Sequence, residues 1–298
     1  MFKNLIDIES LSNEQILKIT DLASAFEKGT IVLTCRDKHL AFLFCENSTR
    51  TRFSFEVAAN KLGISIYNFD ADKSSFSKGE SMKDTIENLY AIGINAVIIR
   101  HSEAGIIERT LEEIDCPIAF INAGDGNHAH PTQALLDFYT MKRHLKFVEG
   151  RKIAIIGDIK HSRVARSNVA LLKKFGANVV LCAPDYFRAY DLDAEYVDTF
   201  EEALKDADVA MFLRVQNERL QEKISVSKYV KDYGLTMEKL KKFTKPTALI
   251  MHPGPVNRDV EISSEVLDSE YGKIILEQAH NGVFVRMAVL NMILGESK

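Results

Sequence analysis

The sequence predicts an α/β protein of two domains, each built on a parallel β-sheet with helices against its faces. Three observations carry that expectation. Short apolar runs, rich in β-branched and aromatic residues, alternate with helical patterns along the chain, which is the order of βαβ units. The chain has 298 residues, against roughly 150 for a typical domain. Hydrophobic residues make up 46% and charged residues 27%, a balance that supports buried cores under a solvated surface.

The strand candidates are AFLFC (41–45), SIYNF (65–69), NAVIIR (95–100), PIAFIN (117–122), KIAIIGD (152–158), NVVLCAP (178–184), DVAMFL (208–213) and ALIMH (248–252). Helical patterns fall near 13–27, 50–62, 81–92, 132–146, 163–175 and 198–206. Strands separated by helices require crossovers, and these are right-handed. Gly63 stands just past the second helix, a C′ position. A division falls near 132–150. There PTQALLDFYTMKRHLKF begins with Pro131 at a helix start, stops before Glu149-Gly150, and can bridge two α/β units. The last apolar stretch, GVFVRMAVLNMIL (282–294), belongs against a core, and periodicity leaves open which one.

The net charge of −4 offers no electrostatic case for nucleic acid or an anionic membrane. An anionic small molecule would instead need local positive clusters, and the chain has them. Cys35, Cys45, Cys116 and Cys182 form no C-x-x-C pair and no zinc spacing, which argues against a metal site or a disulfide framework. The opening MFKNLIDIES lacks the pattern of a signal peptide. No apolar run reaches the roughly 20 residues of a membrane span. The expected location is the cytoplasm.

Ligands of open α/β sheets bind at the carboxyl ends of strands, and the polar motifs fall at such ends, a first hint of a composite site. After AFLFC comes Glu46-Asn47-Ser48-Thr49-Arg50-Thr51-Arg52. A strand, a hydroxyl-rich turn and a helix start make an anion site, because free backbone N–H groups and the positive dipole end face the ligand. Ser48, Thr49 and Thr51 add hydroxyls, and Arg50 adds a fork suited to phosphate. The plain alternative is a helix cap with solvated arginines. The G-x-x-x-x-G-K-[ST] pattern is missing, which argues against a nucleotide P-loop. In the polar loop 74–81, Ser74 and Lys78 can reach an anion, or the loop is simply solvated. Arg100 ends the strand NAVIIR, placed equally well for a ligand or for solvent.

His130 and Gln133, three apart at a helix start, can face one ligand; capping is the alternative for His130. No acidic or cysteine partner stands at metal-ligand spacing. Gly157-Asp158-Ile159-Lys160-His161-Ser162-Arg163 lacks G-x-G-x-x-G, which disfavours a nicotinamide cofactor and leaves Arg163 to meet a carboxylate. Arg214 stands at the end of DVAMFL, followed by Gln216. In His252-Pro253-Gly254-Pro255-Val256-Asn257-Arg258 two prolines set an irregular backbone whose carbonyls can accept bonds from an amine. A rigid turn alone is the other reading. No Ser-His-Asp order or nucleophile elbow emerges. Arginines, hydroxyls, a histidine and a glutamine suit charge stabilisation rather than covalent catalysis.

Taken together, S-T-R-T-R (48–52), H-P-T-Q (130–133), L-R-V-Q-x-E-R (213–219) and H-P-G-P-V-N-R (252–258) give the chain its family likeness. From about residue 40 to the C-terminal helix it resembles the aspartate/ornithine carbamoyltransferase family, specifically the aspartate branch. The ornithine branch carries H-C-L-P where H-P-G-P stands. The resemblance implies two α/β domains joined by bridging helices. Residues 1–134 would bind carbamoyl phosphate, with 282–298 packing back on them, and 135–281 would bind aspartate. The implied reaction moves the carbamoyl group of carbamoyl phosphate to the α-amine of L-aspartate, the committed step of de novo pyrimidine synthesis, without cofactor or metal.

The implied roles follow residue by residue. Ser48, Thr49, Arg50 and Thr51, with Arg100, would bind the phosphate. His130, with Thr51 and Arg100, would polarise the carbamoyl oxygen; these three and Arg50 form the catalytic group. Gln133 and the carbonyls of Gly254 and Pro255 would hold the carbamoyl NH₂. Arg163, Arg214 and Gln216 would take the aspartate carboxylates. Ser74 and Lys78 would come from a neighbouring subunit, Lys78 toward aspartate, in a homotrimer with shared active sites. Regulatory chains or a dihydroorotase remain open as further partners. One departure is Asp259, where the family favours glycine. The alternatives are a carbamoyltransferase for another amine and a non-catalytic paralogue that only binds metabolites. An assay of amine acceptors separates the first, and the intact polar set argues against the second.

Overall fold

The structure is a computed structural model that describes residues 2–69, 79–215 and 225–295. Ser74, Lys78 and Gln216 lie outside the described residues. The chain divides into two compact units, Met1–Leu136 with Ala279–Lys298, and Asp137–Gln278.

The first unit contains α1 (Asn13–Glu27), β1 (His39–Phe44), α2 (Arg50–Leu62), β2 (Ser65–Phe69), α3 (Met82–Ala91), β3 (Ala96–His101), α4 (Ile106–Glu113) and β4 (Ala119–Asp125). Helix α5 (Pro131–Leu145) starts in this unit and ends in the other. Local chemistry sets these boundaries. Ser12 and Gln15 close a capping box at the start of α1. Gly63, at φ +74°, ends α2 in the left-handed conformation that glycine adopts without a Cβ penalty. The four strands are parallel in the order β2-β1-β3-β4. All seven residues of β4 are buried, as expected of a sheet covered by helices on both faces, whereas β2 at the opposite edge is largely exposed.

The second unit contains β5 (Lys152–Ile156), α6 (Arg163–Lys174), β6 (Asn178–Cys182), β7 (Glu195–Tyr196), α7 (Phe200–Leu204), β8 (Val209–Phe212), α8 (Val226–Tyr233), α9 (Met237–Phe243), β9 (Leu249–Met251) and α10 (Ser264–Leu267). Helix α11 (Lys273–Leu294) starts here and returns to the first unit. The strands are parallel in the order β7-β6-β5-β8-β9. Their core includes Ile156, Phe200, Phe212, Leu240 and Ile250.

Each sheet changes direction of growth once. In the first unit the chain moves from β1 to β2 on one side and then to β3 on the other. In the second it runs from β5 through β6 to β7, then returns to β8 beside β5. The crevices at the carboxyl ends of β1/β3 and β5/β8 are therefore the topological switch points where α/β sheets bind ligands. Among the described residues no helix is long and apolar enough to cross a membrane.

Candidate functional site

In the first unit the switch point is tightly built. Phe44 lies in register with Arg100, and the Cys45 N–H donates to the Arg100 carbonyl at 2.8 Å. The ends of β1 and β3 thus stand side by side, presenting Glu46 and Arg100. The Arg100 guanidinium donates to Glu46 Oε1 at 2.5 Å and to the Ala123 carbonyl at 3.1 Å. The sequence signal of Glu46 is an acidic residue at the head of a cationic motif. Its carboxylate offsets the Arg100 charge, and an arriving anion must compete with it.

Helix α2 begins directly beyond. Thr49 occupies its N-cap position without a side-chain cap hydrogen bond. The positive end of the helix dipole stands at this position. Thr49 and Arg50 are exposed, Ser48 is half-buried, and Thr51 is buried. The Thr51 hydroxyl lies 3.4 Å from His130 Nε2, so the starts of α2 and α5 meet. His130 and Gln133 are both buried, and the Gln133 N–H donates to the His130 carbonyl at 3.0 Å. Burial pushes the Cys45 thiol up, which keeps this neighbour a poor nucleophile.

A buried carboxylate shapes the loop that leads to His130. Asp125 is fully buried and accepts bonds from Asn122 Nδ2 (2.8 Å), the Gly105 N–H (2.8 Å) and the Ala129 N–H (3.2 Å), and pairs with His128 Nδ1 at 2.9 Å. Burial pushes its carboxyl upward, but the bonds from His128, Asn122 and Gly105 outweigh burial, and the net direction is down. The Asp125 bond raises His128 against a smaller opposing effect of burial. Gly126 is required here: a Cβ would lie 2.6 Å from the Ala104 nitrogen. His128 and His130 form a histidine pair in the sequence without a partner at metal-ligand spacing, and the loop-holding role of Asn122, Asp125 and His128 leaves no motif because they touch protein groups rather than a ligand.

In the second unit, Arg163 opens α6 after the Ser162 cap, half-buried. Arg214 follows β8 and is exposed, flanked by the buried Leu213 and Val215. The Leu213 N–H donates to the Ile156 carbonyl at 2.8 Å, so the β5 and β8 ends that lead to these two arginines are neighbours. After β9, the Gly254–Pro255 peptide is cis. The Gly254 N–H donates to His252 Nδ1 at 2.8 Å, and the His252 N–H donates to Gln278 Oε1 at 3.0 Å. Gln278 in turn donates to Asp137 at 2.8 Å. Asp259 stands at φ +63°, which explains the family's glycine. Asp tolerates that region better than most residues, and its carboxylate accepts from the Ser264 N–H (2.7 Å) and hydroxyl (2.9 Å). Among the described residues no group of three or more His, Cys, Asp or Glu is placed to hold a metal.

Residues 3–143 match the family model for the aspartate/ornithine carbamoyltransferase carbamoyl-P binding domain. Residues 149–293 match that for the Asp/Orn binding domain. The aspartate carbamoyltransferase catalytic subunit of Aliarcobacter butzleri (strain RM4018) is 45% identical over 299 aligned residues, covering 99% of each chain. Among solved structures, aspartate transcarbamoylase from Trypanosoma cruzi, in complex with carbamoyl phosphate and aspartate, is 29% identical at TM-score 0.85, covering 97% of this chain and 94% of its own. The catalytic subunit of M. jannaschii aspartate transcarbamoylase is 33% identical at TM-score 0.84, covering 98% of each chain.

Proposed function

The chain belongs to the aspartate/ornithine carbamoyltransferase family, and from that premise we propose the reaction of its aspartate branch. The enzyme transfers the carbamoyl group of carbamoyl phosphate to the α-amine of L-aspartate, giving N-carbamoyl-L-aspartate and phosphate, a step of pyrimidine biosynthesis. The observation that carries this reading is the start of α2 at the β1/β3 switch point, with Arg100 on one side and the Thr51–His130 contact of 3.4 Å on the other.

In the first unit, Ser48, Thr49, Arg50 and Thr51 bind the phosphate through hydroxyls, backbone N–H groups and the Arg50 fork, with Arg100 as a second cation. Thr51, Arg100 and His130 polarise the carbamoyl oxygen, and Gln133 holds the carbamoyl NH₂. In the second unit, the Gly254 and Pro255 carbonyls accept from the same NH₂. Arg163, Arg214 and Gln216 hold the aspartate carboxylates, joined by Lys78. The α-amine attacks the carbamoyl carbon, and the tetrahedral oxyanion is stabilised by donors already aimed at it. Holding the two substrates in line removes most of the entropic cost of the encounter. Phosphate leaves and takes up the amine proton, so no protein base is needed; a proton inventory that identifies a protein acceptor overturns this step.

The assembly is a homotrimer whose sites are completed by Ser74 and Lys78 of a neighbour. Two features of the first unit support it. Phe53 (59% exposed) and Tyr67 (49% exposed) leave apolar surface on α2 and the edge strand β2. Beside them a cavity of about 610 Å³ is lined by Glu46, Ser48, Thr49, Arg52 and Phe53, room for an incoming loop. The cytoplasm is the fitting compartment, since all four cysteines are free thiols. The test is direct. Purified enzyme given labelled carbamoyl phosphate should form carbamoyl aspartate and should leave ornithine unreacted; label appearing on ornithine, or on neither amine, overturns the assignment.

A further inference from the structure

Between the end of β8 and the loop 252–258 stands a carboxylate with no role in the scheme above. Glu261 is 1% exposed. Its Oε1 accepts from the Val215 N–H at 2.9 Å and from Asn257 Nδ2 at 2.7 Å. Its Oε2 accepts from the Asn257 N–H at 2.6 Å and lies 3.7 Å from the buried His252 Nε2. Asn257 Nδ2 also donates to the Val215 carbonyl at 2.8 Å. Both backbone polar groups of Val215 are therefore held by this pair.

The placement of those bonds is informative. Val215 directly follows Arg214, and Asn257 stands two residues after Pro255. A fold that needed only packing at this point would be served by an apolar residue, because a buried carboxylate is costly unless fully bonded. Here the bonds go to two backbone segments, each adjoining a proposed substrate contact. One rigid, planar group sets the spacing between them. Neighbouring backbone alone would not, since β8 and β9 pair only as far as Met211 and Met251.

We propose that Glu261 is a positioning residue that fixes Arg214 relative to the Gly254 and Pro255 carbonyls, so that an aspartate held by its carboxylate presents its amine to the carbamoyl carbon. This deepens the proposed function and rests on its assignment of Arg214 and of those carbonyls. Glu261 touches neither substrate and acts only through Val215 and Asn257. A displacement of about 1 Å in such a contact is enough to change rates by about a hundredfold.

The test uses the full-length enzyme and two variants. Glu261→Gln keeps the volume but sets its NH₂ against the Asn257 N–H. Asn257→Ala removes the other half of the clamp from a half-buried position, and so reads the same spacing if Glu261→Gln fails to fold. Steady-state kinetics give the aspartate KM and kcat, and calorimetry gives the Kd for carbamoyl phosphate alone. The expected result is an aspartate KM raised about tenfold or more, with the carbamoyl phosphate Kd changed less than about threefold. A merely structural role lowers the folded fraction, which reduces apparent kcat and leaves both constants in place. That outcome, or an equal loss of affinity for both substrates, overturns the proposal. Absence of aspartate carbamoylation by the unaltered enzyme would instead defeat the underlying reading.

Discussion

On the proposed roles, replacing Arg50 and replacing Arg214 separates the halves of the reaction. Arg50 is exposed at the start of α2, so Arg50→Ala removes little packing. It removes a charge-assisted contact worth about 1.5–3 kcal/mol, and kcat/KM should fall at least tenfold while thermal unfolding stays unchanged. Arg214→Ala should raise the aspartate KM by a similar factor and leave carbamoyl phosphate affinity nearly intact, which equilibrium binding measures. His128 carries a pH dependence. Its pKa is raised by Asp125 above the usual 6.5, and that of Asp125 is lowered from 3.8. The stability from His128 is complete below pH 6.5 and is lost as pH rises through its raised value. The stability from Asp125 is present above 3.8 and is lost as pH falls through its lowered value. The melting temperature should therefore decline from pH 6 toward pH 8, and His128→Asn should flatten that decline. At this scale the sequence marks Ser48–Thr51, His130 and Arg214, the proposed ligand contacts, because residue type and place at strand ends and helix starts suit that chemistry. Asp125, Glu261 and Glu46 act on other protein groups, and no spacing rule marks them.

Elements followed sequence most closely where apolar periodicity and caps agree. Helices α1 and α2 run over 13–27 and 50–62 as the pattern requires, and β2 over 65–69. The pattern missed α4, α8, α9, α10 and the two-residue β7, whose short faces bury few side chains. It also started the last helix at 282, whereas α11 begins at Lys273. The reason is chemical: the early turns of α11 bury Gln278 and Asn281, polar residues that break an apolar stripe. Gly282 shows how closely α11 packs in the first unit. A Cβ there would lie 2.5 Å from Arg286 Nη1 and 3.1 Å from Leu136 Cδ2. Arg286 is 3% exposed and stacks 5.0 Å from the Phe55 ring centroid, so it has little room to retreat. Gly282→Val should destabilise the protein by about 1–3 kcal/mol through overpacking, read as a lower urea midpoint with unchanged slope.

For the whole molecule, the decisive question is whether one chain suffices for catalysis. If Lys78 serves a neighbour, Lys78→Ala and Arg50→Ala subunits are each inactive as homotrimers, yet a mixed trimer can contain one site with both residues intact. Dissociating and reassembling the two together should restore activity, up to one site per trimer. Mixtures as inactive as their parents mean that each site is built within one chain. The two-unit plan was legible from length and strand–helix alternation; the proposed homotrimer rests on the family resemblance, since composition and periodicity carry no signal for a shared surface.

The first unit is interrupted: it opens at the N-terminus, breaks off at Leu136 and resumes only at Ala279. During synthesis this reverses the usual order, in which the earlier domain matures first. Everything in the second unit is contiguous and can close once Gln278 has left the ribosome. The older half must wait for Val285, Arg286, Val289 and Leu290, all buried in the finished protein. Until they emerge, Phe55 lacks the Arg286 guanidinium that covers its ring. The half of the nascent chain made first is thus the last to be sealed, and it carries an open apolar seam for most of its time on the ribosome.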